Sequence, residues 1–514
     1  MYRRYASAQA RAQTHAGSHA SVYLLSHDTL SGDHPVRQSH LLFASILLAT
    51  ATAVAQETPT ERTAAADVMR RMNELETSLG LPAMVARLSA PNKSRDAVMA
   101  RAKQLMDTEL LAMADDITKH PEVGWHETRS VKILADYLTA HGFTVEMGVA
   151  GFPTAFIARY NKGTPGPKLG VILEYDALRG TTRDFHGDQH SAQGPVGMAV
   201  AVAMAEFLTQ SKTPGTVIVY GTPAEEVGAP EAKTLMYEAG VFKDADVIVR
   251  SHSSTETRRL APGFGSCCLN IDVFHVTFSG APAHQMTAWD GRDALTAVIE
   301  LFNHIDAIRK TIRPEARIQG IITEGGKAPN VVPDRTAAEI WIRYPDQVYL
   351  KQIREQVENA AKAAALATGT KVRIQVDSAA RDGISVAALN DLAFAYQKQL
   401  GATKVATEVG APIPYEETGT VATQIPGIGV TAFSSNGGYH TFEMEADALG
   451  DVGHRGFVID AQTMTGVLYA YATDAKYRET VTKEFKGLQA LYADYLAALK
   501  NAYPLPNVPE PAAH

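Results

Sequence analysis

Three short apolar runs, 168–175 (KLGVILEY), 215–220 (GTVIVY) and 245–250 (ADVIVR), alternate with helix-like segments at 194–208 and 230–242. Runs of this length bounded by turn residues are strands. Strands separated by helices cannot close as hairpins; they align in parallel, with the helices covering the faces of the sheet. An amphipathic helix over 126–142, stopped by Gly142, and a polar-rich helical stretch over 62–120 extend the layering. The pattern predicts an α/β fold built on a mainly parallel sheet.

A second rhythm begins near residue 269. A strand (269–279), a helix (291–312), two strands (317–323, 336–343), an Ala-rich helix (349–368) and a last strand (371–376) follow one another. This β-α-β-β-α-β order is that of a ferredoxin-like unit. Because 385–480 returns to helix and short strands, the unit is expected as an insertion. The expected organisation is a signal peptide (1–55), a catalytic domain in two parts (56–268 and 381–485), an inserted lid and dimerisation domain (269–380), and a C-terminal helix with a Pro-rich tail (486–514).

The signal peptide rests on Leu41–Ala55 (LLFASILLATATAVA), an apolar run too short to span a bilayer comfortably and ending in Ala53-Val54-Ala55. It predicts cleavage before Gln56 and a periplasmic or secreted protein; a buried core helix is the competing reading. Arg3, Arg4 and Arg11 lie unusually far upstream, and Val36-Arg37 is a more ordinary start. No other run approaches membrane-spanning length, so no membrane partner is expected after cleavage. A net charge of −8 without a Lys/Arg block argues against a nucleic-acid partner. The two cysteines, Cys267 and Cys268, are neighbours that bridge only through a strained ring, and are expected as small core residues on a strand.

Four clusters carry chemistry. Asp188 and His190 lie ahead of a helix, Glu225 and Glu226 directly follow the run 215–220, His252 follows 245–250, and His440 stands far along in the resumed domain. Adjacent acids at the end of a buried strand are costly unless a cation meets them. Side chains alternate along an extended segment, so one carboxylate can hold a metal while its neighbour takes a proton from water. Carboxylate and imidazole together suit zinc or a similar ion. Each cluster alone has a plainer reading: a surface loop, an acidic helix start, or structural histidines. The shared place of Asp188, Glu225, Glu226 and His252 just past strands or beside helix starts, where open α/β sheets bind ligands, favours a common site.

The segments HPEVGWHETRS (120–130), GVILEYDAL (170–178), GTPAEE (221–226), APNVVPD (328–334) and GHRGF (453–457) resemble a family of di-metal peptidases and amidohydrolases. That family includes carboxypeptidase G, aminoacylase and hippurate hydrolase, and the likeness is nearest to its aminobenzoyl-glutamate hydrolase branch. The resemblance implies Glu225 as general base, and Glu226, His252, His440 and His190 as metal ligands. Asp188 stands where the branch has Cys; more distant relatives place a bridging aspartate there. The implied cofactor is two divalent ions, Zn2+ first, with Mn2+ or Co2+ tolerated by the harder oxygen ligand. Asp176 is placed to orient a ligand imidazole, and the role of His186 stays open. His284 and Asn330 are implied substrate contacts, with His284 reaching a neighbouring subunit's site; a surface histidine and a turn Asn are the plainer readings. The implied activity is hydrolysis of the amide bond of N-acyl or N-aroyl amino acids or small peptides, in a homodimer or higher homo-oligomer. An exported metal- or peptide-binding protein without turnover is the alternative.

Overall fold

The computed structural model describes residues 58–508, apart from Thr164 and residues 228–230. The expected signal peptide and the end of the Pro-rich tail lie outside the described residues. Helices α1 (Pro59–Ser78), α2 (Leu81–Ser89), α3 (Lys93–Leu105) and α4 (Leu111–Lys119) come first. A capping box starts α1: the Thr58 hydroxyl accepts from the Glu61 amide, and the Glu61 carboxylate accepts from the Thr58 amide, both at 3.1 Å. Then follow α5 (Thr128–Ala140), β1 (Thr144–Met147), β2 (Phe156–Lys162), β3 (Lys168–Leu173), α6 (His190–Ser211), β4 (Gly215–Gly221), α7 (Ala232–Glu238) and β5 (Val247–Ser251). The short β6 (Gly263–Gly265) precedes β7 (Asn270–Ser279), α8 (Ala294–Ile308), β8 (Arg317–Glu324), β9 (Arg335–Tyr344), α9 (Gln347–Thr368) and β10 (Lys371–Ala380). The chain closes with β11 (Gly383–Ser385), α10 (Ala387–Gln399), β12 (Gly427–Val430), α11 (Phe442–Ala448), α12 (Asp451–Thr473) and α13 (Ala475–Ala502).

The first sheet has the order β1-β2-β4-β3-β5-β12. The pairings β4–β3, β3–β5 and β5–β12 are parallel, while β1 and β2 run antiparallel at one edge. Those two edge strands escape the sequence pattern because β1 is largely exposed and β2 ends in polar residues, so neither shows a continuous apolar run. Helix α6 lies tightly on the sheet: a Cβ at Gly197 would fall 2.0 Å from the Leu173 side chain. By length and composition α6 is apolar enough to cross a membrane, a feature the sequence pattern does not single out. It is almost wholly buried, as a core helix must be.

The second sheet has the order β10-β7-β9-β8, antiparallel throughout. With α8 and α9 it forms the expected ferredoxin-like unit. Phe274, Val276, Phe278, Ile340 and Ile342 alternate onto its buried face. The cysteines correct the expectation from sequence. Because β7 begins only at Asn270, Cys267 and Cys268 lie in the turn before it, one half-buried and one exposed.

Helix α13 ties distant parts of the chain together. The buried Glu484 carboxylate accepts from the amides of Ala387 (2.6 Å) and Ala388 (2.9 Å) at the start of α10. Beyond the helix end, the Tyr503 hydroxyl donates to Asp346, the N-cap of α9, at 2.8 Å. Burial pushes Glu484 up to about 7 from an ordinary 4.5. A folded-state value above the unfolded one means that the proton favours the fold. The stabilisation is full below about 4.5 and is lost as pH rises through about 7. Glu484→Gln is expected to flatten the fall in melting temperature between pH 5 and 7.5; an unchanged slope in thermal scans would remove Glu484 as its source.

Candidate metal centre

Adjacent parallel strands β3, β4 and β5 end at the same edge of the first sheet, and the loops leaving them carry most of the predicted residues. Asp188 and His190 lie between β3 and the start of α6, Glu225 and Glu226 follow β4, and His252 follows β5. His440 comes from the loop before α11. Three of these turns contain a non-glycine residue with left-handed backbone: Gln189 (φ 57°), Ala224 (φ 59°) and His440 itself (φ 59°). Such a conformation costs roughly 1–2 kcal/mol per residue. Strain of this kind persists where surrounding structure over-determines it, and it concentrates at functional sites. At Ala224 the support is visible: its amide donates to the buried Glu127 carboxylate at 2.7 Å.

The side chains converge. Asp188, His190 and Glu226 each present a ligand atom within 4.8 Å of the others. His440 Nε2 lies 2.9 Å from Asp188 and 3.8 Å from Glu226. The rings of His190 and His252 meet edge to face, with centroids 5.6 Å apart. Glu225 lies 3.8 Å from His190 Nε2. All five predicted ligands and the predicted base therefore lie together at this edge of the sheet. His440 is the open side, its side chain 60% exposed, while His190 and Asp188 are buried.

The donor set fits divalent cations. His190 Nδ1 lies 3.1 Å from Asp176, whose second oxygen accepts from the Glu226 amide at 2.8 Å. His190 Nε2 is buried and has no hydrogen-bond partner, although buried ring nitrogens are ordinarily satisfied. An imidazole held through Nδ1 by a carboxylate, with Nε2 left free, is the arrangement of a metal ligand. Charge agrees. Burial, and then Glu417, drive the Glu225 carboxyl well above its ordinary range. Burial does the same to Glu226, with His190 opposing it and Glu225 adding to it. Burial also works against Asp188, but its His440 hydrogen bond and the neighbouring imidazoles hold it below the ordinary range. Crowded buried carboxylates of this kind are what a cation relieves. Asp176→Asn is expected to weaken metal binding about 10–100-fold; titration calorimetry giving an unchanged affinity would deny Asp176 its orienting part.

His186 is buried with neither ring nitrogen hydrogen-bonded, and burial lowers it to about 3, so it is a neutral imidazole behind the cluster. His284 and Asn330 are not brought to the cluster. Both are exposed on the ferredoxin-like unit, where Gln285 donates to the Asn330 carbonyl at 3.1 Å and His284 Nδ1 caps its own short helix. Among the described residues, no hydrogen bond, ion pair or ring contact joins either to the five ligands. The two are nevertheless neighbours, through the bridge between His284 and Val331. At the open side of the cluster, Tyr439 is 51% exposed and Phe442 lies under the Arg183 guanidinium at 4.5 Å.

Sequence reasoning misses Glu174, Lys233, Arg250 and Glu417, a buried charged group against the same histidines. Glu174 carries a signal, since it stands two residues before Asp176 on the strand extension. The other three are lone charges scattered over the chain, and only the fold brings them together.

The family model of the peptidase dimerisation domain matches residues 270–369. The chain is 33% identical over 305 residues to a component of the p-aminobenzoyl-glutamate hydrolase of Escherichia coli, covering 55% of this chain and 60% of that protein. It is 29% identical over 337 residues to the Xaa-Arg dipeptidase of Homo sapiens, covering 62% of this chain and 74% of the relative. The fold is similar to that of an aminobenzoyl-glutamate utilization protein from Klebsiella pneumoniae, with a TM-score of 0.54 at 18% identity over 72% of this chain and 98% of that one. The dimerisation unit, the sheet and the ligand cluster agree with these likenesses: the chain matches the M20 peptidase dimerisation domain over residues 270–369 and is similar to peptidases and amidohydrolases that carry it.

Proposed function

We propose that this chain hydrolyses the amide bond of N-acyl or N-aroyl amino acids or small peptides, with two divalent ions, Zn2+ foremost, held by Asp188, His190, Glu226, His252 and His440. The observation that carries the reading is the convergence of those five donors with Glu225 beside them. The ions supply Lewis acidity toward water and the amide carbonyl. Glu225, adjacent to a ligand but free of that duty, takes the proton of the attacking water and passes it to the leaving amine. Asp176 orients His190 through Nδ1, and His440 closes the set on the solvent side. Exposed Tyr439 and Phe442 offer flat apolar walls to an acyl or aroyl group at the mouth. The relatives' names, which mention aminobenzoyl-glutamate and Xaa-Arg dipeptides, support amino-acid conjugates as the substrate class.

The reading extends to export through residues 1–55 and to a homodimer formed through the ferredoxin-like unit, in which His284 serves the partner's site as an oxyanion donor. His284→Ala is then expected to cut turnover about a hundredfold with metal content intact; normal kinetics would reduce it to scaffolding. The function itself is tested with a panel of N-acyl amino acids and dipeptides, assayed with and without a chelator. Release of free amino acid that stops on chelation and returns with Zn2+ supports the reading. Tight binding without release in every metal-loaded sample contradicts it.

A further inference from the structure

A closed ring of four charges adjoins the candidate metal centre. Lys233 Nζ on α7 bridges Glu174 Oε1, just past β3, and Glu417 Oε2, in the loop leading to β12. Arg250 on β5 bridges the same two carboxylates from the other side, with Nη2 at 2.7 Å from Glu174 Oε2 and Nη1 on Glu417 Oε1. Every carboxylate oxygen in the ring meets a cation, and each cation meets both carboxylates. The side chains are between 0% and 14% exposed.

This ring touches the metal ligands. Glu174 Oε2 lies 3.7 Å from His190 Nε2, and Glu174, His190 and His252 present ligand atoms within 4.8 Å of one another. On donor chemistry alone that trio is a further cation site, one that draws on both histidines of the main centre. An ion seated there would pull the imidazoles away from Asp188. What stands against it is the ring: the Glu174 carboxylate is already neutralised by an ammonium and a guanidinium. Those cations are side chains of α7 and β5, tethered to the fold at that point. Buried ion pairs contribute little to stability when weighed against apolar replacements, so holding a neighbouring group in place is the better account of this one.

We propose that Lys233 and Arg250 are positioning residues that hold Glu174 off the metal ions, leaving His190 and His252 to the centre shared with Asp188. The inference rests on the metal-hydrolase reading above. It predicts that uncovering Glu174 creates a ligand, whereas removing Glu174 removes none.

The experiment counts Zn2+ per chain by elemental analysis after gel filtration, on the full-length protein and three variants, with folding followed by circular dichroism. Lys233→Met is expected to retain fewer Zn2+ ions than the unaltered protein, as the uncovered Glu174 draws His190 and His252 from Asp188, and to lose at least tenfold in kcat with little change in KM. Glu174→Gln is expected to keep the unaltered count, and the double variant Glu174→Gln with Lys233→Met to return to it. Loss of an ion in Glu174→Gln would make Glu174 a ligand and overturn the proposal. So would a folded Lys233→Met with unaltered count and Zn2+ affinity. Should Lys233→Met not fold, the nearly isosteric Glu174→Gln decides alone. An unaltered protein that binds no Zn2+ would defeat the metal-hydrolase reading first, and this inference with it.

Discussion

Glu225→Gln is expected to retain its metal ions and lose turnover by about a thousandfold, within the range that a positioned general base contributes. The change is nearly isosteric, so Ala224 keeps its left-handed turn and Glu226 keeps its place. What disappears is the only carboxylate at the end of β4 that the ligand set does not use. Glu225 lies 3.8 Å from His190 Nε2 and is only 14% exposed, so bulk water cannot easily substitute for it. The check is a kcat measurement paired with elemental analysis. Residual activity within tenfold of the unaltered enzyme would show that another group takes the proton.

Asp188→Ala is expected to act further upstream, by emptying the centre. Asp188 is the carboxylate against which His440 packs at 2.9 Å, and it shares a cluster with His190 and Glu226. Without it, two histidines and Glu226 lose their common partner, and the exposed His440 has little left to hold it inward. Metal content is expected to fall below one ion per chain and turnover to the level of the chelated enzyme. Unchanged stoichiometry would strike Asp188 from the ligands. Paired with Glu225→Gln, this variant separates loss of metal from loss of proton transfer.

Much of this was legible in the sequence because the chemistry sits where pattern is strongest. Strands β3, β4 and β5 are buried on both faces and read as unbroken apolar runs, so the residues just beyond them could be placed at one sheet edge. Asp188, His190, Glu225, Glu226 and His252 followed from that placement, and His440 from the resemblance. The ferredoxin-like unit was equally plain, since its alternation of helix and strand is regular. Strands β1 and β2 were not, since β1 is largely exposed and β2 runs out into polar residues. Nor was the ring of Glu174, Lys233, Arg250 and Glu417. An ion pair leaves no local trace when its members are far apart in the chain, and Lys233 stands 59 positions from Glu174 and 184 from Glu417. The exposed His284 and Asn330 show the converse limit. A single chain places them beside each other and away from the five ligands, and the work proposed for His284 lies in a partner's site.

The central claim is that five side chains hold a shared pair of cations. Crystals grown with Zn2+ and measured on both sides of the zinc absorption edge test it most directly. Two anomalous peaks are expected at about 2.0–2.2 Å from oxygens and nitrogens of Asp188, His190, Glu226, His252 and His440. Zinc found only elsewhere on the molecule, with those five side chains as close together as they are here and no ion among them, would contradict it.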